Sequence, residues 1–200
     1  MGEAVDAGED TTPARQDEPA TPTRQWALAG IGAVALGVSA GLAAYARVHP
    51  GDGAALTTLG FSGMLQMKAW LATAAAVLVV VQVLSALAMW RKLPGVAAAA
   101  TWPVPVHRWS GTVAFLLTLP VMFHCVWSLG FAQGDARTVV HSVAGCALYG
   151  VFAAKMLALR LPSLPRGTVP LLGGLLVTLV LAVWFTSALW FFTRSGYALV

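Results

Sequence analysis

The chain has 200 residues, of which 58% are hydrophobic and only 10% carry a charge. Because soluble domains carry about 25% charged residues, this composition excludes a soluble globular protein. Six of the eight acidic residues lie within the first 18 positions, and the Lys and Arg residues of the remainder cluster at the ends of apolar stretches. Such clustering is typical of membrane topology, so the net charge of +4 does not indicate a nucleic-acid partner.

Residues 1–25 are rich in Glu, Asp, Thr, Pro and Ala and predict a disordered cytoplasmic tail, because they bury too little apolar surface to become ordered. Five nearly uncharged stretches follow and define one transmembrane domain, residues 26–200. Each has about 20 residues or more, enough for a helix to cross the hydrocarbon core of a bilayer. The stretches are residues 26–46, 69–90, 109–130, 138–159 and 168–193. The sequence therefore predicts an all-α integral membrane bundle of five transmembrane helices.

Lys and Arg residues near the ends of these stretches predict the orientation of the chain in the cell membrane. Eight fall on the side that includes the N-terminus, and four fall on the other side. Because cytoplasmic loops carry the excess of positive charge, we expect a cytoplasmic N-terminus and an extracytoplasmic C-terminus. The loop between the third and fourth stretches would then be extracytoplasmic.

Two histidines lie inside consecutive apolar stretches. His124 lies six residues before Gly130, where the third stretch ends, and His141 lies four residues after Arg137, where the fourth begins. In antiparallel helices both imidazoles would lie about 6–10 Å below the same membrane face, at a rise of ~1.5 Å per residue. Ionisable side chains at membrane depth mark functional sites, and haem iron takes one ligand on each face. We therefore predict that His124 and His141 are the metal ligands of a haem b; the alternative is that both only form hydrogen bonds within the bundle.

Residues around the histidines extend this candidate site. Gly145 follows His141 by one helical turn and leaves room for a flat macrocycle, although glycine also serves close packing of membrane helices. Arg137, one turn before His141, is the candidate contact for an anionic haem propionate, or else a charge that sets the topology. Pro120, four residues before His124, predicts a kink in the third helix.

His107 lies 17 residues before His124 on the same predicted helix, about 25 Å away along the axis. It cannot bind the same iron, and no other histidine is expected at its end of the membrane. We interpret it as an interfacial residue or, alternatively, as a second haem ligand or quinone contact, for which Met89 or Met156 would be the partner. His49, in the loop after the first stretch, is a possible substitute ligand at the outer end. The sequence thus predicts one haem per chain.

The stretch from His107 to Met156 resembles the cytochrome b-561 and ferric-reductase-like membrane families, which bundle helices around b haem held by histidine pairs. The whole chain looks still more like a bacterial family of five-helix membrane proteins of uncharacterised function, through the run His-Arg-Trp-Ser-Gly at 107–111 and the helix start at His141 and Ser142. The resemblance implies haem ligation by His124 and His141. The chain departs from two-haem members of these families, which need two ligand pairs at two depths.

The predicted function is that of a multi-pass b-type cytochrome, an oxidoreductase or electron-transfer subunit, which transfers electrons through a haem near the extracytoplasmic face. Its partner would be a quinone or an extracytoplasmic redox protein, in addition to the lipid bilayer. The alternative is a non-redox membrane scaffold or accessory subunit without a cofactor. A line of small residues on the first helix indicates close helix packing, within the fold or in a homo-oligomer: Ala29, Ala33, Gly37 and Gly41.

Overall fold

The computed structural model describes residues 22–49, 51–97 and 99–195, and within these ranges every regular element is a helix. Five helices are long and apolar enough to cross a membrane, which confirms the predicted all-α bundle. Residues 1–21 of the predicted tail lie outside the described residues. The elements are α1 (Pro22–Val48), α2 (Met64–Met89), α3 (Pro103–Phe123), a first π-helical segment (His124–Leu129), α4 (Ala136–Ala158), α5 (Thr168–Trp184), a second π-helical segment (Phe185–Leu189) and α6 (Trp190–Ser195).

The first three helices begin before the apolar stretches that predicted them. α1 begins at Pro22 rather than at residue 26, α2 at Met64 rather than 69, and α3 at Pro103 rather than 109. Proline suits the first position of α3, because the N–H that it lacks would have no partner there. Backbone hydrogen bonding thus continues into the polar flanks, and residues 22–25 of the predicted tail are helical.

Helices that follow each other in the chain are not all neighbours in the bundle. α2 packs against α3 and α5, α4 packs against α1 and α5, and α1 also contacts the first π-helical segment. The order around the bundle is therefore α3, α2, α5, α4 and α1, so that α3 and α4 face each other across a central gap. Tyr149 of α4 bridges this gap by donating a hydrogen bond of 2.9 Å to the Thr118 carbonyl oxygen of α3.

α1 approaches α4 closely at Gly150. The Ala35 carbonyl oxygen and the Ser39 hydroxyl of α1 occupy the space that a side chain at Gly150 would need. Buried apolar side chains continue the contact along both helices: Ile31, Ala154 and Ala158. The small residues predicted to pack closely lie instead on the exposed side of α1: Ala29, Ala33, Gly37 and Gly41. Of the two predicted alternatives, packing within the fold is not seen for these four residues, and a contact between copies of the chain stays a prediction.

The loop between α1 and α2 lies across the first π-helical segment. The Gly53 N–H donates to the Ser128 carbonyl oxygen at 2.9 Å, and the Phe131 N–H donates to the Ala46 carbonyl oxygen at 2.8 Å. Gly51 lies so close to the backbone of Ser128 that a side chain on it would collide. These contacts fix the loop and the end of α1 against the end of α3.

Candidate functional site

Two π-helical segments lie at the same end of the bundle. The first, His124–Leu129, begins four residues after Pro120, which has no N–H to give to the backbone hydrogen-bond ladder. The second, Phe185–Leu189, separates α5 from α6. Single π-helical turns inside α-helices occur frequently at functional sites. The sequence predicted a kink near Pro120, but neither π-helical segment.

His141 of α4 lies between the two π-helical segments. Its Nδ1 is 3.1 Å from the Thr186 hydroxyl oxygen, and its Nε2 is 3.9 Å from the Cys125 sulfur. The Thr186 hydroxyl donates its proton to the Ala182 carbonyl oxygen at 2.7 Å, so it accepts the proton on Nδ1. The lone pair of the imidazole is therefore on Nε2. A metal-binding histidine is held in the same way, with its other ring N–H donated to an oxygen.

A cavity lies beside His141, enclosed by all five membrane-spanning helices. Its empty volume is about 940 Å³, including the part that opens to the surroundings. Sites for small molecules commonly combine an apolar wall with a few polar groups. This wall is also mainly apolar, and its ionisable side chains are Lys68, Cys125, His141, Cys146 and Tyr149.

Gly145, one helical turn after His141, also lines the cavity. A methyl group added at Gly145 would meet no atom within 4 Å. The glycine is therefore not needed for contact between α4 and another helix, and the open space beside it belongs to the cavity. The predicted role of Gly145, which is to leave room for a flat molecule next to the histidine, stays a prediction that fits this geometry.

His124 is fully buried but does not line the cavity. Its Nδ1 donates to the Pro120 carbonyl oxygen at 2.7 Å, and its Nε2 accepts a hydrogen bond of 3.4 Å from the Thr57 N–H in the loop between α1 and α2. Successive helical residues point roughly 100° apart. His124 therefore faces the loop between α1 and α2, whereas Cys125, the next residue, faces His141. Both histidines lie at the same end of the bundle, as expected, without meeting at one cavity.

Arg137 also lies away from the cavity. Its guanidinium donates to the Thr186 carbonyl oxygen at 2.7 Å and lies 4.1 Å from the centre of the Trp190 ring. An ion pair of 3.8 Å with Asp135 is partly exposed and contributes little. Arg137 thus fixes the second π-helical segment at the residue that orients His141. A contact between Arg137 and a haem propionate stays a prediction, and the guanidinium would have to leave Thr186 or Trp190 to make it.

His107 lies near the opposite end of the bundle, as the sequence predicted. Its Nδ1 is 3.0 Å from the Ser85 hydroxyl of α2, and its carbonyl oxygen accepts a hydrogen bond from the Gln82 amide. Met89 and Met156, the candidate partners for a second iron, are 36% and 38% exposed. These contacts favour a structural role for His107, which joins α3 to α2.

His49 belongs to an aromatic cluster at the end of α1. Its ring centre lies 5.2 Å from that of Tyr45 and 4.4 Å from that of Trp127, and it does not line the cavity. Within the described ranges, no group of three or more His, Cys, Asp and Glu residues could hold a bare metal ion. A metal at His141 would therefore need to bring ligands of its own, as the iron of haem does.

Sequence reasoning did not assign two residues of the cavity to the site, although it counted Lys68 among the basic residues at this end of the bundle. Cys125 lies beside His141, and Lys68 lines the cavity with only 9% of its surface exposed. Cysteine is an ordinary apolar residue in membrane helices, and a lysine near a helix end normally extends to water. The available signal was depth, because Lys68 is four residues from the start of α2 at the same end of the bundle as Cys125 and His141.

The fold and the site define a multi-pass helical bundle with a cavity at one end that is lined by several ionisable side chains. The chain belongs to a family of unknown function, DUF6529, whose sequence pattern matches residues 28–199. Neither a curated protein nor a solved structure matches the chain. Membership confirms the likeness to a family of uncharacterised function, whereas the likeness to cytochrome b-561 has no support from these comparisons.

Proposed function

We propose that the protein is a membrane b-type cytochrome that binds haem b in the cavity and transfers electrons near the extracytoplasmic face. The observation that carries this proposal is the place of His141 in the cavity wall, with its Nδ1 3.1 Å from the Thr186 hydroxyl oxygen and its Nε2 3.9 Å from the Cys125 sulfur. Haem iron is held by such an imidazole nitrogen in several classes of haem protein. When bound, haem would supply the one-electron redox chemistry.

One histidine of the cavity wall, His141, would hold the iron. Gly145 leaves open space beside His141, and both residues line the cavity. A two-histidine site would need a second imidazole at this wall, and His124 is held by Pro120 and Thr57 instead. We therefore propose His141 as the histidine that holds the iron. Ligation of the iron by His124 stays a prediction. It would require the imidazole to give up its hydrogen bond from the Thr57 N–H.

Other contacts would serve a haem at this position. Thr186 orients the imidazole, and Arg137 fixes the π-helical segment that carries Thr186. Tyr149 closes the inner side of the gap through its hydrogen bond to Thr118. Since His107 has no histidine near it among the described residues, we propose one haem per chain. A quinone or an extracytoplasmic redox protein would exchange electrons with it, and the N-terminus would be cytoplasmic.

Reduced-minus-oxidised spectra of membranes that contain the protein test the proposal. The wild type should give a b-type signal, and His141→Ala should remove it. Thr186→Val preserves the side-chain shape but removes the acceptor for Nδ1, so haem affinity should fall by about 10–100-fold. His107→Ala, at the opposite end of the bundle, is the matched control and should keep the full signal.

Each outcome bears on a separate part of the proposal. No b-type signal in the wild type would refute haem binding. A full signal in His141→Ala would refute the ligand assignment alone. Loss of the signal in His124→Ala as well as in His141→Ala would favour the two-histidine site, and with it a rearrangement of the loop that carries Thr57.

A second candidate function is a non-redox accessory subunit or scaffold. It is favoured by the hydrogen bonds that occupy both ring nitrogens of His124 and Nδ1 of His141 within the bundle. In this case the wild type would show no haem signal, and His141→Ala would lower the thermal stability of the protein without changing its absorption spectrum.

A further inference from the structure

Lys68 is a charged residue in the interior of the bundle. It lies four residues into α2, between the buried side chains of Met67 and Ala69, and only 9% of its surface is exposed. Its side chain lines the cavity together with Cys125 and His141. A lysine near a membrane face usually extends to water, whereas Lys68 is enclosed by protein.

No carboxylate neutralises Lys68 within the described residues. The one ion pair in that part of the chain joins Arg137 and Asp135 at the start of α4. The remaining acidic residue there is Asp52, which is exposed and accepts a hydrogen bond from the Ala54 N–H. The side chain of Lys68 interacts with the Cys125 thiol. Burying an ammonium without a carboxylate partner is unfavourable, so a negative charge that enters the cavity would stabilise Lys68.

The rest of the cavity defines what kind of molecule carries that charge. Side chains such as Leu42, Val121, Val180 and Trp184 make most of the wall apolar. The N-terminal end of α2 adds a partial positive charge at the same place, since the dipole of a helix is positive there. A small inorganic anion would leave the apolar wall without contacts. An amphiphile with one acidic group would contact both Lys68 and the apolar wall.

We propose that Lys68 binds the carboxylate of an amphiphilic molecule whose apolar part fills the cavity. Two sources offer this chemistry: a propionate of haem and the headgroup of a fatty acid. The first rests on the proposed function, and the second is independent of it. Lys68 thus takes the place that the sequence assigned to Arg137, whose guanidinium is engaged by Thr186 and Trp190.

The test pairs each acid with its neutral ester, using the full chain purified without cofactor in detergent. Haem is compared with haem dimethyl ester by its absorption change, and brominated stearic acid with its methyl ester by quenching of tryptophan, since Trp184 is in the cavity wall. Each pair is titrated into the wild type and into Lys68→Met, Lys68→Arg and Lys155→Met. Lys155 is the matched control, because it is also a partly buried lysine within a span and does not line the cavity.

In at least one pair, the wild type should bind the acid more tightly than the ester by about tenfold or more, which is the range of a hydrogen bond to a charged group. Lys68→Met should abolish this preference, whereas Lys68→Arg and Lys155→Met should keep it. Partition of the ligands into micelles is the same for every variant and cancels in the comparison.

The two proposals can fail separately. If neither haem nor its ester binds but the fatty acid pair shows the preference, haem binding fails and the role of Lys68 stands. If haem binds with the same affinity as its ester and the fatty acid pair also shows no preference, the role of Lys68 is overturned while haem binding stands. An acid preference that is unchanged in Lys68→Met overturns it as well. Should Lys68→Met not fold, Lys68→Gln replaces it in the same comparison, because it keeps a polar side chain but carries no charge; an acid preference unchanged in Lys68→Gln overturns the proposal.

Discussion

Two glycines on α4 provide a sharp test of how α1 and α4 pack. Gly145 and Gly150 are both in the interior of the helix, but their surroundings differ. A methyl group at Gly145 meets nothing within 4 Å, whereas at Gly150 it would collide with the Ala35 carbonyl oxygen and the Ser39 hydroxyl. We therefore expect Gly145→Ala to be tolerated and Gly150→Ala to force α1 away from α4.

The magnitude follows from comparing the two alanine variants. Replacing a glycine in a helix interior by alanine gains about 1 kcal/mol in helix propensity, and this gain is common to both and cancels. What remains is the cost of inserting a methyl group into a packed contact, typically about 1–3 kcal/mol. Ser39 can rotate away, but the carbonyl oxygen of Ala35 moves only with α1. Gly150→Ala should accordingly be less stable than Gly145→Ala by about 1–3 kcal/mol.

Unfolding of the purified protein by SDS in mild detergent, followed by helical circular dichroism, measures this difference. A Ser39→Ala/Gly150→Ala double variant should recover only part of the loss, because the collision with the backbone of α1 remains. Equal stability of the two single variants, within about 0.5 kcal/mol, would refute the close approach of α1 to α4.

Three further predictions concern the end of α4, the central gap and the topology. The Asp135 carboxylate caps α4 by accepting a hydrogen bond of 2.7 Å from the Thr138 N–H, which holds its pKa below the usual value. Stability from this cap is present above the usual pKa and is lost as the pH falls through the lowered one, so Asp135→Ala should remove that part of the acid dependence of the melting temperature. Tyr149→Phe removes the hydrogen bond to Thr118 and should cost about 0.6 kcal/mol in SDS unfolding, without loss of haem signal. Reporter proteins fused before α1 and after α6 should report opposite compartments; the same compartment at both ends would contradict five spans.

The depth of the site was predictable because it depends only on length and spacing. Because the rise per residue is fixed, His124 and His141 lie at the same end of the bundle even if the predicted helix boundaries are wrong by a few residues. The 3.9 Å between Cys125 and the imidazole of His141 agrees with this matched depth. The number of spans was predictable for the same reason, since apolar length alone decides it.

Side-chain direction was not predictable, because it depends on rotation about each helix axis. One residue of shift turns a side chain by roughly 100°. The π-helical segment that begins at His124 changes this rotation where the site lies, and the sequence signals only Pro120. The environment of Lys68 depends in turn on α3 and α4 lying apart, although a short loop joins them. None of these features can be derived from one segment considered alone.

The polar residues at the two ends of the bundle form contrasting arrangements. At the end that carries His107, the Gln82 amide donates to the Ser110 hydroxyl at 2.7 Å and to the His107 carbonyl oxygen, while Ser85 bonds the imidazole. These side chains join α2 to α3, and a network of this kind is sufficient to explain their presence in a membrane helix. At the other end, Lys68, Cys125 and His141 line a cavity between α3 and α4, and the Cys125 sulfur lies 3.9 Å from Nε2 of His141. Polar groups at membrane depth are retained at a cost in stability. Binding of a molecule in the cavity, as proposed, would account for these groups, and on this proposal we expect substitutions at this end to change binding more than folding.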